Sequence, residues 1–445
     1  MKQVLRLSFM GLFLLASQIV FCQTKQPGFP ARNKKTDRAK VAEDAGALRI
    51  PNGYADNLHW DIPLDTLGQN GSIIHWKSGD ESYVTSLGKL LKRSPRNGKK
   101  VSVTMKAIIS LGNAVRTKSF NIYIAYEELP YSGYLFAYFE GSGEAAQQEQ
   151  LRFGVSADAF NWNALNGNRP VLSSTEISQT GGIRDPHILR GEEENSFYMV
   201  ATDMSAIKNG WGHNPGIDML KSGNLIDWSH SIIDLAKTYP ENFSDVKWVW
   251  APQTIYDPAA GKYLVYFTVR FQNDPRLDFY SAYANKDFTG FEHEPALMFR
   301  AKYGAIDGDI IYKDGVYHFF FKGNTKDENG KEVQNGIQQA IGHSLQGPWA
   351  ENFKYLDAYS TKHIVVEGSG IFKLNNSETY VLMYDLYTRL RYEYQKSSDL
   401  YHFTENPESF TKNFNPRHGT VISITREEAK RLNERWGGVP PELLK

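Results

Sequence analysis

An aromatic, β-branched strand pattern recurs five times along this chain, and the recurrence restricts the fold more than any single motif. It reads "GYLFAYFEG" (133–141), "FYMVATDM" (197–204), "KYLVYFTV" (262–269), "VYHFFFKG" (316–323) and "TYVLMYDL" (379–386). Segments so rich in Tyr, Phe and Val suit buried strands. Each is followed by a weaker signature: "SADAFNW" (156–162), "SGNLIDW" (222–228), "ANKDFTGF" (284–291), "GHSLQGPW" (342–349) and "SSDLYHF" (397–403). Five copies at a period of roughly 50–65 residues predict an all-β fold, a five-bladed β-propeller.

Four copies have a partner strand just upstream, at "RDPHIL" (184–189), "WAPQTIY" (250–256), "IDGDIIY" (306–312) and "EGSGIFK" (367–373). The first copy has none, yet the chain finishes with an orphan strand, "RHGTVISI" (417–424). The economical solution is that this last strand completes the first sheet, so the two ends of the repeat close the ring. After it, "TREEAKRL" (425–432) reads as a capped helical turn, with Thr425 as N-cap and Glu428 reaching back.

In such a ring the inner strands start around one mouth. They start here with Asp185, Trp250-Ala251-Pro252, Asp307 and Glu367, and the closing strand with Arg417-His418. Asp185 and Asp307 precede Ile188 and Ile310 by three residues, and Glu367 precedes Ile371 by four. Three carboxylates aimed at one place are costly for structure alone, because like charges repel. Glycoside hydrolysis needs two of them, an acid for the leaving oxygen and a base for water. A third can keep the acid protonated near neutral pH.

An isolated Asp-Pro is ordinarily a turn before a strand, and register with the other carboxylates is what favours catalysis at Asp185. Asp309 rivals Asp307, two residues on. Trp250, Trp248 and Trp211 suit either sugar stacking or the core, with Trp250 the best stacking candidate. Arg389 and Arg391 in "YTRLRYEY" suit either sugar hydroxyls or solvent.

The first 22 residues have a basic start (Lys2, Arg6) and an apolar run from Leu7 to Cys22, the shape of a secretory signal. The expected location is periplasmic or secreted. A lipid anchor at Cys22 is less favoured, because bulky Phe21 precedes it. Cleavage after Cys22 removes the single cysteine, which excludes disulfides, cysteine metal sites and thiol nucleophiles. It also leaves 48 basic against 50 acidic residues, a net charge of −2, from 50 of each less Lys2 and Arg6. That balance favours a neutral oligo- or polysaccharide partner over nucleic acid, and the mature chain carries no transmembrane segment.

Residues 23–43 read as a polar linker, 44–128 as a small β-sandwich, 129–432 as the repeat domain and 433–445 as a tail. In the sandwich, "VSVTMKAII" (101–109) and "SFNIYI" (119–124) alternate apolar and polar residues around the turn "LGN" (111–113), with Trp76 as core anchor.

Through "IIHWKS", "VSVTMKAII" and "TKSFNIYI" this first module resembles the degenerate bacterial Ig-like domains that precede sugar-cleaving domains. Residues 130–432 resemble glycoside hydrolase family 43, through "IRDPHIL", "AIDGDIIYKDG" and "VVEGSGIFK" taken in order and at their spacings. The resemblance implies an inverting glycosidase acting on arabinose- or xylose-containing glycans, with galactan-cleaving members as further relatives. It assigns Asp185 as general base, Asp307 as pKa modulator and Glu367 as general acid. It requires no cofactor. His418 in "PRHGTV" matches a family histidine that touches a central water or calcium, and otherwise reads as a buried, hydrogen-bonded histidine. The most expected activity is removal of α-L-arabinofuranosyl units, with β-xylosidase next. "IRDPH" also resembles the sucrose- and fructan-cleaving families, but their Asn-Asp-Pro-Asn and Glu-Cys elements are missing. A non-catalytic glycan-binding propeller is the alternative of another class.

Overall fold

The computed structural model describes residues 35–96, 98–193, 195–326 and 332–445; the expected signal (1–22) and the first part of the expected linker lie outside the described residues. Four consecutive sheets are antiparallel meanders of four strands. Each has its first strand at one edge: Ile183–Arg190, Val246–Asp257, Ala305–Lys313 and Glu367–Lys373. A further sheet is built from both ends of the repeat. Its edge strand Thr420–Thr425 pairs antiparallel with Tyr131–Tyr138, Thr420 opposite Ala137 and Ile424 opposite Gly133. The closure expected from the orphan strand is the one observed. The five edge strands touch one another in a cycle, Thr420–Thr425 lying between Glu367–Lys373 and Ile183–Arg190.

The recurring aromatic strands are second from the axis and are covered on both faces. Every residue of Phe197–Asp203 and of Tyr380–Leu386 is buried. Phe197, Met199 and Ala201 join one intersheet core, while Tyr198 and Val200 join the next. Burial on both faces is why these segments read as continuous apolar runs rather than alternating ones. In three of the five copies the weaker signature is an Asx turn. Asp158 Oδ1 accepts from the N–H groups of Phe160 and Asn161, Asn224 Oδ1 from Ile226 and Asp227, and Asp399 Oδ1 from Tyr401 and His402. The residue after each carboxylate or amide, Ala159, Leu225 or Leu400, is buried with φ of 71°, 68° and 65°. The side-chain hydrogen bonds hold the turn in that left-handed geometry.

The N-terminal module departs from expectation twice. Residues read as linker form a helix, Asp37–Ala47, with Thr36 as N-cap accepting from the Ala39 N–H. The sandwich is a single three-stranded sheet in the order Ile73–Ser78, Ser102–Leu111, Ala114–Tyr123. The reason is that other segments cover its apolar face. Val41 and Ala45 of the helix pack on Ile74, Ala107 and Ile109, while Ile50, Leu58, Ile62 and Val84 pack on Val103 and Met105. The module abuts the far ends of the inner strands: Trp60 stacks on Tyr256 and meets Tyr312 edge-on, and His59 Nε2 lies 2.5 Å from Glu192.

The closing helix runs Arg426–Trp436, four residues into what reads as tail. Its capping box forms as expected, Glu428 N–H donating to Thr425 Oγ1 and Thr425 N–H to Glu428 Oε2. Glu428 also takes both Arg190 amino groups, at 2.9 and 2.7 Å, which fastens the helix to an inner strand. Among the described residues no helix is long and apolar enough to cross a membrane.

Candidate active site

A bulge at the start of each of four inner strands builds the site. Pairing slips between Arg184 and His187, Trp250 and Gln253, Ile306 and Asp309, and Glu367 and Gly370. At each bulge one residue takes a positive φ: Asp185 at 49°, Ala251 at 46°, Asp307 at 53° and Gly368 at 65°. Left-handed geometry in a non-glycine residue is uncommon and tolerated best by Asp and Asn. The bulges are therefore equivalent, and each brings a pair to the axis: Arg184-Asp185, Trp250-Ala251, Ile306-Asp307 and Glu367-Gly368. Arg417-His418 supplies the fifth pair, just before Thr420. This explains why Glu367 stands one residue further from its strand's Ile than the two aspartates do. In that strand the bulge position is Gly368, and the residue before it carries the carboxylate.

The pairs line a cavity of about 160 Å³ whose wall includes Asp185, Asp307, Glu367, Trp250, Arg417 and His418. Two larger cavities, of about 860 and 340 Å³, lie at the seam with the N-terminal module and contain none of these residues.

His418 Nδ1 lies 3.4 Å from Asp185 Oδ1 and 3.9 Å from Asp307 Oδ1, ion-pair distances rather than close hydrogen bonds. Burial opposes charge on the imidazole, but the Asp185 contact and the charges of Asp307, Asp185 and Glu367 outweigh it and push it up to about 9. Burial likewise raises the Asp185 carboxyl, but His418, then Arg184 and Thr202, hold it below the usual carboxylate range. For Asp307 burial prevails over His418 and Lys322, and with Glu367 and Asp185 adding like charge its carboxyl is raised. Thr202 donates to Asp185 Oδ2 at 3.0 Å, and the Ala251 N–H donates to Thr202 at 2.8 Å, so the bulge of one sheet orients the carboxylate of the previous one. Asp307 Oδ2 accepts the Gly368 N–H at 3.0 Å.

Glu367 sits between two cations. Lys322 Nζ is 2.8 Å from its Oε2, and Arg417 is 3.0 Å from its Oε1. Behind Arg417, Asp385 binds the guanidinium; burial, only partly countered by Arg417, pushes the Asp385 carboxyl up to about 7.

The structure thus brings Asp185, Asp307, Glu367, Trp250 and His418 to one cavity. Asp309 points deeper, accepting the Ile371 N–H at 2.8 Å and lying 3.7 Å from His187, and is not part of the wall. Arg389 and Arg391 are also outside the wall; Arg391 is exposed and pairs with Glu393 and Ser409. Trp248 stacks behind Trp250 at 4.2 Å, while Trp211 lines the mouth, 59% exposed, with the Arg184 guanidinium over its ring. Among the described residues no group of three or more His, Cys, Asp or Glu side chains could hold a metal ion.

Sequence reasoning missed Lys322, Asp385 and Arg184 as members of the site, and placed Arg417 at the mouth without a role. Arg184 and Arg417 carried a signal, being the residues directly before Asp185 and His418. Lys322 and Asp385 had none beyond a charge ending an apolar strand.

Residues 129–430 match a family described as a probable glycosyl hydrolase domain, related to family 43, and residues 41–127 match the atrophied bacterial Ig domain. The chain is similar to an α-L-arabinofuranosidase of Bifidobacterium longum subsp. longum, 27% identical over 375 residues; the match covers 75% of this chain and 33% of that protein, so the chain spans a third of its length. Among solved structures it is similar to an endo-arabinase from Bacteroides thetaiotaomicron, at 15% identity and a TM-score of 0.41, covering 65% of this chain and 93% of that one. It is also similar to a family-43 enzyme from Xanthomonas citri complexed with xylotriose, at 15% identity and a TM-score of 0.39, covering 54% and 79%. The first match spans well over half of the chain, and the chain belongs to the glycosyl hydrolase family related to family 43.

Proposed function

We propose that this chain is an exported, inverting, exo-acting glycosidase that removes α-L-arabinofuranosyl units, its five sheets working as the blades of a propeller. The observation that carries the reading is the convergence of three carboxylates, from three equivalent bulges, on one small cavity. A volume of about 160 Å³ is below the roughly 300–1,000 Å³ of sites for drug-sized ligands, and it suits one terminal sugar. In this reading Asp185, held ionised beside His418, takes a proton from water as that water attacks the anomeric carbon. Glu367 gives a proton to the departing oxygen. Asp307 holds the Gly368 backbone and adds negative charge beside Glu367. Trp250 forms one wall against the sugar ring. β-Xylosidase or galactan-cleaving activity would use the same carboxylates with a different sugar in the cavity. His418 serves as a cation between the two aspartates, and no cofactor is needed.

The test is hydrolysis of aryl α-L-arabinofuranoside, β-xyloside and β-galactoside by the full chain, with the anomer of the first product read by NMR. The arabinofuranoside should be cleaved fastest, with inversion, and Glu367→Gln should lose that activity. Binding of glycans without cleavage of any would instead make this a glycan-binding propeller.

A further inference from the structure

The two cations on Glu367 differ in how firmly they are themselves held. Arg417 is held from behind by Asp385, which is buried. Lys322 reaches the carboxylate from the neighbouring strand Val316–Lys326, where it lies opposite Ile306. Its side chain is 14% exposed and its ammonium ends a flexible stem. Asp307 also acts on that ammonium, and the Tyr387 ring lies 5.9 Å from it. The lysine therefore has a second anionic partner within the same wall.

A glutamate with three free torsions holds a catalytic pose poorly, and a displacement of about 1 Å costs on the order of 100-fold in rate. Pinning both oxygens solves that, but each oxygen then keeps one free lone pair beside a cation, which crowds the approach of a leaving group. Withdrawal of one cation clears that approach, and the one on the flexible stem is Lys322.

We propose that Lys322 is a positioning residue for Glu367: it holds Oε2 in the resting enzyme and surrenders that oxygen, moving toward Asp307, when the glycosidic oxygen arrives. Arg417 keeps Oε1 fixed throughout. Glu367 takes its proton from solvent as the ammonium withdraws. It passes that proton to the departing oxygen as the glycosidic bond breaks, while the attacking water loses one to Asp185. One water is consumed, and the second product leaves as an alcohol. The proposal rests on the reading of Glu367 as the general acid.

Leaving-group dependence tests it. A dinitrophenyl glycoside departs without a proton, whereas a phenyl glycoside needs one. Lys322→Met should lower kcat/KM on the phenyl glycoside by about 10–100-fold, part of the 10²–10⁴ a general acid supplies, and leave the dinitrophenyl rate within about threefold. Lys322→Arg should recover much of the phenyl rate. The dinitrophenyl rate of the same preparation and its melting curve report folding; if the Met variant melts low, Lys322→Gln is read in its place. Equal loss on both substrates, or loss on neither, in a folded variant overturns the proposal. Glu367→Gln, run in parallel, separates the two ideas. If it shows no leaving-group dependence, the acid assignment fails; if it does and the Lys322 variants do not, only the positioning role fails.

Discussion

His418 Nδ1 lies 3.4 Å from Asp185 Oδ1, so the closing strand of the repeat places a cation against a carboxylate presented by the 183–190 strand. Because burial is outweighed by the carboxylates, the imidazole titrates at about 9 in the folded chain against 6.5 unfolded. A raised basic group stabilises fully below its unfolded value and loses that contribution as pH rises through its folded one. The stability of the wild type over His418→Asn should be on the order of 3 kcal/mol at pH 6 and fall away toward pH 10. Urea unfolding of both proteins across that window measures it. A constant difference would mean the histidine is not charged.

In the proposed mechanism Asp185 acts on water rather than on the leaving group. Asp185→Asn should therefore lose about 10²–10⁴ in kcat on phenyl and dinitrophenyl glycosides alike. Steady-state kinetics on the pair checks this against the selective loss expected at Glu367.

Gly368 takes φ of 65°, and a Cβ there would stand 3.0 Å from the Cβ of His418. Gly368→Ala should cost about 1–3 kcal/mol from the backbone alone and displace the histidine as well. A fall in melting temperature together with lost activity is the expected outcome.

Trp211 is 59% exposed at the cavity mouth, and its backbone oxygen accepts the Trp248 indole N–H at 3.2 Å. Trp211→Ala should leave stability within about 0.5 kcal/mol, as for other surface changes. It should raise KM on an oligosaccharide by about fivefold, through lost stacking of about 1 kcal/mol on the sugar beyond the scissile bond. Equal KM values for oligosaccharide and aryl substrate, before and after, would remove Trp211 from the site.

The sequence by itself determined the recurring strands, their order within each sheet and the pairing of the last strand with the first aromatic one. Each of these follows from periodic burial, and strands covered on both faces declare themselves as apolar runs wherever they stand in the chain. In the N-terminal module the structure differs from the reading: the polar segment before residue 44 is in part a helix, and the alternating strands form one sheet whose apolar face the helix and connecting segments cover. Tertiary structure decided what surrounds the carboxylates. Lys322 and Asp385 come from second strands and Arg184 from beside a bulge, whereas Arg389 and Arg391, close to the Glu367 strand in sequence, lie outside the wall. Burial has a period that a sequence can show. The direction of a side chain at a bulge does not, because one extra residue per strand reverses which face it meets, and only the packed neighbours fix where that residue falls.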